Sequence, residues 1–170
     1  MSETKSLHNY LDLCTISVRS GLSSRKKLLQ EMARLLSYPL IKSSQNHSEN
    51  NIEKDVYHAL LEREKLGNTG IGNGVAMPHS RFKQTNEAVI AIITLETAID
   101  YDSLDCQAVD VAFGLIVPQD ASQQHLNILA EIARSMSNVD NKQKLHSAKT
   151  AQEVINLMQG WAKPKSKNNL

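Results

Sequence analysis

The segment Arg63–Ser80 has the sequence REKLGNTGIGNGVAMPHS and constrains the fold of this chain more than any other stretch. Four glycines lie close together within it, at Gly67, Gly70, Gly72 and Gly74. A glycine inside a helix or strand costs roughly 1 kcal/mol relative to alanine, so this spacing predicts a loop. The backbone of such a loop either bends tightly or comes close to another group.

A short strand and a histidine follow the glycines. Val75–Met77 is typical of a buried strand, and Pro78 ends it because proline has no N–H to donate. We therefore expect the imidazole of His79 at the end of a strand, beside glycine-rich backbone. A histidine nucleophile needs one ring nitrogen held by an acceptor and the other unprotonated, and this setting favours both.

The residues before this segment predict a strand and two helices. Thr15–Val18 is typical of a short strand, and Ser23 or Ser24 can cap a helix that ends at Pro39. The apolar residues of that helix recur at helical spacing, at Leu28, Leu29, Met32, Leu35 and Leu36. After a polar loop at 42–50, Asn50 and Glu53 resemble a capping box for the second helix.

The residues after the segment predict two central strands and then helices. Ala88–Leu95 and Val109–Val117 are short apolar runs rich in β-branched residues. Asp120 and Gln123 form a second capping box, which opens a helix. Its expected inward face is Leu126, Leu129, Ala130, Ala133 and Met136, and shorter helices are expected near Asp140–His146 and Thr150–Gly160. This order favours an α/β (α+β) fold, a single domain with a mixed β-sheet flanked by helices.

Length and composition limit the class of protein. A chain of 170 residues suits one domain, which we place at 7–162, with a flexible N-terminus at 1–6 and a disordered basic tail at 163–170. A formal charge of +1 without a basic stripe argues against nucleic acid as a partner. Cys14 and Cys106 match neither a zinc pattern nor a disulfide framework. With no apolar run long enough for a membrane, we expect a cytoplasmic protein with no membrane insertion.

The run Gly72–His79, GNGVAMPH, preceded by Arg63-Glu64 and Thr69-Gly70, resembles a known active-site signature. It is that of enzyme IIA of the phosphoenolpyruvate-dependent phosphotransferase system, fructose/mannitol class. The sequence of residues 69–74 is most similar to that of the nitrogen-regulatory branch of this class, and the resemblance covers about residues 7–161. It implies a mixed sheet flanked by helices. The family usually has glycine after the histidine, where this chain has Ser80, which narrows the approach to His79 or adds a hydroxyl donor.

The resemblance also implies roles for individual residues. His79 would be phosphorylated on Nε2, with Nδ1–H bonded to a backbone carbonyl, a choice of nitrogen that the sequence alone leaves open. His125 matches the second active-site histidine, and Arg63 is the candidate to bind phosphate oxygens bidentately. Further phosphate-binding candidates are the donors of the loop and its flanks, Thr69, Gly70, Asn73 and Ser80. Without the resemblance, His125 could be an ordinary helix histidine, Arg63 a helix-end cation and Asn73 a turn residue.

The partners follow from the same resemblance. The phosphoryl donor would be a histidine phosphocarrier protein of the nitrogen branch, and no metal or cofactor is needed for the transfer. Regulatory targets would be proteins such as a potassium transporter or a sensor kinase, bound according to phosphorylation state, and linked to nitrogen and carbon metabolism. One alternative is a sugar-specific enzyme IIA that passes phosphate to a permease-associated enzyme IIB. Another is a binding module of the same fold that is not phosphorylated.

Other glycine motifs fit poorly. Gly67 and Gly72 have the gap of a nucleotide phosphate loop, but Asn73 stands where lysine is required. The loop precedes a strand and does not open a helix, which argues against dinucleotide binding. A metal-dependent hydrolase would need acids near His79 accompanied by a second histidine, a pattern that Asp100, Asp102 and Asp105 lack.

Overall fold

The computed structural model describes residues 6–43 and 49–162. It contains a 3₁₀ helix, six strands and five α-helices in these ranges. In chain order they are the 3₁₀ helix Leu7–Leu13, β1 Thr15–Ser20, α1 Arg25–Ser43, α2 Glu49–Leu66, β2 Gly70–Gly72, β3 Val75–Ala76, β4 His79–Phe82, β5 Val89–Ile99, β6 Val109–Pro118, α3 Gln123–Met136, α4 Val139–Ser147 and α5 Ala151–Ala162. The expectations for 1–5, the middle of the 42–50 loop and the 163–170 tail lie outside the described residues.

One mixed sheet carries the fold. Its strand order is β1-β5-β6-β3-β2, and β4 also pairs with β6. The β1–β5, β3–β6 and β4–β6 pairs are parallel, whereas β5–β6 and β2–β3 are antiparallel. β6 pairs with three strands and is buried along almost its whole length, as its apolar sequence indicates. The predicted mixed sheet flanked by helices is confirmed.

Two apolar layers cover the two faces of the sheet. Phe113 and Leu115 of β6 face a layer formed with α3, α4 and α5. Ala112 and Ile116, at the alternate positions, face a layer formed with α1 and α2. Successive side chains of a strand point to opposite faces, so one strand supplies both layers. The sheet therefore lies between two sets of helices, and its loops emerge between them.

The helix α1 does not end at Pro39, as we had expected, but continues to Ser43. A proline inside a helix leaves the carbonyl four residues earlier without its usual donor. That carbonyl belongs to Leu35, and it accepts a hydrogen bond from the Thr15 hydroxyl at 2.8 Å. The prediction was wrong because a donor from β1 replaces the missing N–H, which no local pattern indicates.

Ser24 caps α1 as expected, since its hydroxyl accepts the Lys27 N–H at 3.2 Å, but the expected starts of α2 and α3 were wrong in detail. Asn50 lies inside α2, which the structure describes from Glu49 onward, so it is not the cap. Helix α3 begins two residues later than an Asp120 cap predicted, with Ser122 as its N-cap and His125 at the third helical position. The inward face of α3 is accordingly shifted. Its buried residues are Ile128, Ile132 and Met136, whereas Leu126 and Ala130 are exposed.

Candidate active site

A glycine hairpin leads the chain into the candidate site. Gly70–Gly72 is a short strand and not a loop, and it pairs with β3 through a tight turn. The turn residues Gly72, Asn73 and Gly74 all have positive φ, of 94°, 55° and 77°. Glycine adopts this left-handed region without strain and asparagine tolerates it. The glycines thus make a hairpin of fixed shape, and this hairpin positions the strand before His79.

His79 is the first residue of the strand β4, so the imidazole lies at a strand end, although that strand is not the predicted Val75–Met77. Its neighbour Pro78 accepts a hydrogen bond from the Leu115 N–H at 3.0 Å, which holds β4 against β6. The His79 Nδ1 lies 2.7 Å from the carbonyl oxygen of Met77. A carbonyl only accepts, so Nδ1 carries the proton of the neutral ring. Nε2 is then the nitrogen with the free lone pair.

A cavity of about 540 Å³ contains His79. The polar residues that line it are Glu62, Arg63, His79, Ser80 and Arg81, and the apolar ones are Ala59, Leu66, Leu115, Val117, Leu126 and Leu129. These residues come from α2, β4, β6 and α3. An apolar wall with a few polar groups is typical of a site that keeps water from a reactive bond.

The charge state of His79 is set by its surroundings. Burial lowers the pKa of His79 below its ordinary value, because the charged imidazolium is poorly solvated there. The bond to Met77 acts against this shift, the Arg63 guanidinium adds to it, and the Glu64 carboxylate opposes it. The net effect favours the neutral ring, which is the form that can attack an electrophile.

Two arginines supply positive charge to the cavity. The Arg63 side chain is half-buried, and its Nη1 donates to the carbonyl oxygen of Gly67 at 3.0 Å. Arg81 is exposed, and its Nη1 donates to the carbonyl oxygen of Gln119 at 2.9 Å. Arg81 was not among the site residues predicted from the sequence. Strand alternation was the available signal, since residues 79 and 81 of one strand share a face.

Three of the predicted phosphate-binding residues are engaged elsewhere. The Thr69 hydroxyl is buried and donates to Glu64. The Gly70 N–H donates to the side-chain oxygen of Asn68 at 2.7 Å. The Asn73 N–H donates to the Asp105 carboxylate at 3.0 Å. None of the three lines the cavity, whereas Ser80 does, with its hydroxyl donating to the Arg81 carbonyl at 3.2 Å.

His125 lies in the first turn of α3, one residue before the cavity-lining Leu126. Its Nδ1 accepts the Ser122 N–H at 3.2 Å, so the neutral ring carries its proton on Nε2. His125 does not itself line the cavity. Among the described residues, no group of three or more His, Cys, Asp and Glu side chains is placed to hold a metal ion.

Comparison with known proteins places this site in a family. The family model for the phosphoenolpyruvate-dependent sugar phosphotransferase system, EIIA 2, matches residues 9–160. The chain belongs to this family, whose members are phosphotransfer components. Across residues 6–43 and 49–162, no helix has both the length and the apolarity to cross a membrane.

Within the family, the similarity to nitrogen regulatory proteins is substantial. The nitrogen regulatory protein of Pseudomonas aeruginosa is 33% identical over 135 residues, which cover 79% of this chain and 82% of that protein. The crystal structure of nitrogen regulatory protein IIA-Ntr from Neisseria meningitidis has a TM-score of 0.77 and 30% identity, over 87% of this chain and 97% of that one. A fructose-specific EIIA component of Haloferax volcanii is 32% identical over 100 residues, 59% of this chain and 65% of that protein.

Proposed function

We propose that this protein accepts a phosphoryl group on Nε2 of His79 from a histidine-phosphorylated carrier protein. The observation that carries the proposal is the 2.7 Å contact between His79 Nδ1 and the Met77 carbonyl oxygen. This contact fixes the tautomer and the direction of the ring, and it leaves Nε2 as the nucleophile. The ring lies in a cavity with two arginines and an apolar wall, which suits a phosphoryl group that water must not attack.

The transfer can proceed without a separate proton movement. The Nε2 lone pair of neutral His79 forms a P–N bond, while the P–N bond of the carrier's protonated phosphohistidine breaks and leaves a neutral imidazole. The His79 ring becomes a cation that keeps its Nδ1 proton on Met77. Positioning and electrostatics therefore supply the catalysis, as in other phosphoryl transfers.

The charged side chains of the cavity have separate proposed roles. Arg63 binds oxygens of the phosphoryl group bidentately, and Arg81 adds positive charge at the opening of the cavity. His125 lies outside the cavity lining, beside Leu126 in the first turn of α3, and its proposed role is to donate its Nε2–H to the part of the phosphoryl group that projects from the cavity, where the helix dipole is also favourable. The Ser80 hydroxyl is a further donor beside the ring. Thr69, Gly70 and Asn73 have no direct role in this scheme, because their contacts stabilise the hairpin.

The second part of the proposal is that the negative charge added by phosphorylation changes which proteins bind. Phosphorylation would place a dianion in a cavity whose free form is cationic, and partners that bind over the cavity would distinguish the two forms. The similarity to nitrogen regulatory proteins supports targets in nitrogen-linked regulation, such as a potassium transporter or a sensor kinase. Pull-downs with the free and phosphorylated forms should return different proteins, and identical sets would contradict this part.

Intact-protein mass tests the phosphorylation directly. The protein is incubated with phosphoenolpyruvate, the general phosphotransferase and the carrier, alongside the variants His79→Ala and His58→Ala. His58 is an exposed histidine of α2 outside the cavity and is the matched control. We expect one acid-labile phosphoryl group on the native protein and on His58→Ala, and none on His79→Ala. A phosphorylated carrier that leaves the native protein unmodified would refute the proposal.

A sugar-specific enzyme IIA is the second candidate function. The similarity to the fructose-specific EIIA component of Haloferax volcanii favours it, although it covers less of the chain. The same phosphohistidine would then be passed to an enzyme IIB. Incubating the phosphorylated protein with purified enzyme IIB domains separates the two functions, since rapid loss of the phosphoryl group to one of them would favour the sugar-specific role.

A further inference from the structure

Glu64 is a buried carboxylate that the proposed phosphoryl transfer does not use. It follows Arg63 in α2, but its side chain is directed into the protein and is 2% exposed. It pairs with Arg25 at 2.7 Å and accepts hydrogen bonds from the hydroxyls of Tyr101, at 2.8 Å, and Thr69. It also accepts the Thr69 backbone N–H at 3.3 Å. A carboxylate this buried is retained only with many partners, and this one has four.

The hydrogen bond from the Thr69 N–H to Glu64 interrupts the antiparallel pairing between Thr69 and Met77. The Met77 N–H donates to the Thr69 carbonyl at 2.9 Å. In a regular antiparallel pair, two residues that face each other in this way exchange both bonds, so the Thr69 N–H would donate to the Met77 carbonyl. Here Glu64 takes that N–H, and the Met77 carbonyl accepts the His79 ring instead.

We infer that Glu64 is a positioning residue for His79, an inference that rests on the proposed function. By accepting the Thr69 N–H, the carboxylate leaves the Met77 carbonyl oxygen to turn toward Nδ1 of His79 without sharing its two lone pairs with the neighbouring strand, and this helps to set which ring nitrogen is free. The links pass from Glu64 through Thr69 and Met77 to the ring, and every link is a hydrogen bond in the structure. Arg25 and Tyr101 each donate to one oxygen of the carboxylate and help to hold it in place.

A second effect of Glu64 acts in the same direction. The His79 ring gains positive charge as the P–N bond forms, and a buried negative charge nearby stabilises that charge. The electrostatic influence of Glu64 on His79 has this sign, since it raises the pKa of the ring against the larger effect of burial. The carboxylate therefore supports both the starting tautomer and the charged product.

The test compares Glu64→Leu, which has no acceptor, with Glu64→Gln, which keeps an amide oxygen for Thr69. Glu31→Leu is the matched control, because Glu31 also pairs with an arginine, Arg34 at 2.7 Å, but lies on α1 away from the cavity. Two quantities are measured on the full chain. One is the ¹⁵N chemical shifts of the His79 ring, which report tautomer and pKa, and the other is rapid-quench transfer from the phosphorylated carrier at saturating concentration.

We expect Glu64→Leu to lower the maximal transfer rate about tenfold or more, the size of effect seen when an outer hydrogen-bond partner of a metal-bound histidine is lost. The carrier concentration for half-maximal rate should not change, since Glu64 does not line the cavity. The ring should show a mixture of tautomers and a lower pKa. Glu64→Gln should restore the tautomer in part but not the pKa, and Glu31→Leu should match the native protein.

The outcomes separate this inference from the proposed function. If the native protein is never phosphorylated, the proposed function fails, whatever Glu64 does. If it is phosphorylated and Glu64→Leu keeps the native tautomer, pKa and rate, the inference is overturned. Should Glu64→Leu fail to fold, Thr69→Val removes the hydroxyl bonds to Glu64 and Tyr101 that help to hold the carboxylate against the Thr69 N–H, and Thr69→Ser restores them. A shift of the ring resonances in Thr69→Val but not in Thr69→Ser supports the inference, and native resonances in both refute it.

Discussion

Gly114→Ala should destabilise the fold without removing the nucleophile. Gly114 lies in the middle of β6, where it pairs with Ala91 of β5 and faces the helix α1. A Cβ built on Gly114 would lie 2.2 Å from the Sδ and 2.6 Å from the Cγ of Met32, and 3.1 Å from the Cδ1 of Leu36. Both Met32 and Leu36 are fully buried, so the helix or the methionine side chain has to move.

The size of the effect follows from these distances. Overpacking a close-packed interior by one methyl group costs typically about 1–3 kcal/mol, and the flexible thioether of Met32 absorbs part of the strain. For a chain of this length, each kcal/mol lowers Tm by about 2–4 °C, so we expect a fall of about 2–12 °C. Gly160→Ala is the control, since Gly160 lies in α5 with no atom within 4 Å of its ideal Cβ. There the same substitution should stabilise by up to about 1 kcal/mol.

A double-mutant cycle tests the cause of the loss. Met32→Ala alone leaves a cavity and should cost about 2–5 kcal/mol in the free energy of unfolding, measured in urea. In the double variant, the new methyl group at Gly114 enters that cavity. The stability loss of the double variant should therefore be smaller than the sum of the two single losses by at least about 0.5 kcal/mol. Strictly additive costs would show that contact with Met32 is not the source of the destabilisation, and the packing argument would then be refuted. All three variants should still be phosphorylated on His79.

Three further predictions concern pH, thiol reactivity and helix capping. Because burial lowers the folded-state pKa of His79, its contribution to stability is present above the unfolded value of about 6.5 and is lost as the pH falls through the folded value. The native protein should therefore lose more stability than His79→Gln between about pH 7 and pH 5 in urea titrations, and parallel curves would contradict this assignment. Burial raises the pKa of the Cys14 thiol to about 12, so Ellman's reagent at pH 8 should label the exposed Cys106 quickly and the half-buried Cys14 much more slowly, until unfolding equalises the two rates. Asn138→Ala removes an acceptor for the N–H groups of Asp140, at 2.9 Å, and Asn141, and should cost about 1 kcal/mol by thermal unfolding, a loss that Asn138→Ser should largely avoid.

The strands β1, β3, β5 and β6 and the buried face of α1 were predicted from apolar runs and their spacing, which report the buried side of an element, whereas β2 and β4 were not predicted. The helix ends did not follow, because long-range hydrogen bonds decide them. The Thr15 hydroxyl of β1 compensates for the N–H that Pro39 lacks. It donates to the Leu35 carbonyl, which is 20 residues away in the sequence. At α3, the ring of His125 accepts the N–H of its own cap, a role that capping patterns assign to Glu or Gln.

In the candidate site, too, the features set by neighbouring residues could be predicted, and those set by contacts between distant segments could not. His79 could be found from the sequence because Pro78 and the glycines are its chain neighbours. The cavity around it needed the topology, since α2, β4, β6 and α3 each supply part of the wall. The sequence did not indicate Glu64 as a supporting group for His79. Its link to His79 runs through the β2–β3 hairpin, and the register of that hairpin cannot be read from any single segment.

The position of Pro78 explains how a strand can hold its own histidine. β3 and β4 pair with β6 at the same offset, Ala76 with Ala112 and His79 with Leu115, so together they are one strand with a break at Met77–Pro78. Proline has no N–H, so the ladder cannot run unbroken through the break. The Met77 carbonyl can therefore turn toward the ring of His79, two residues later, provided that the Thr69 N–H does not donate to it. A Pro78→Ala substitution would give the backbone a donor at the break, and the same ¹⁵N shifts of His79 would show whether the ring then loses its fixed tautomer.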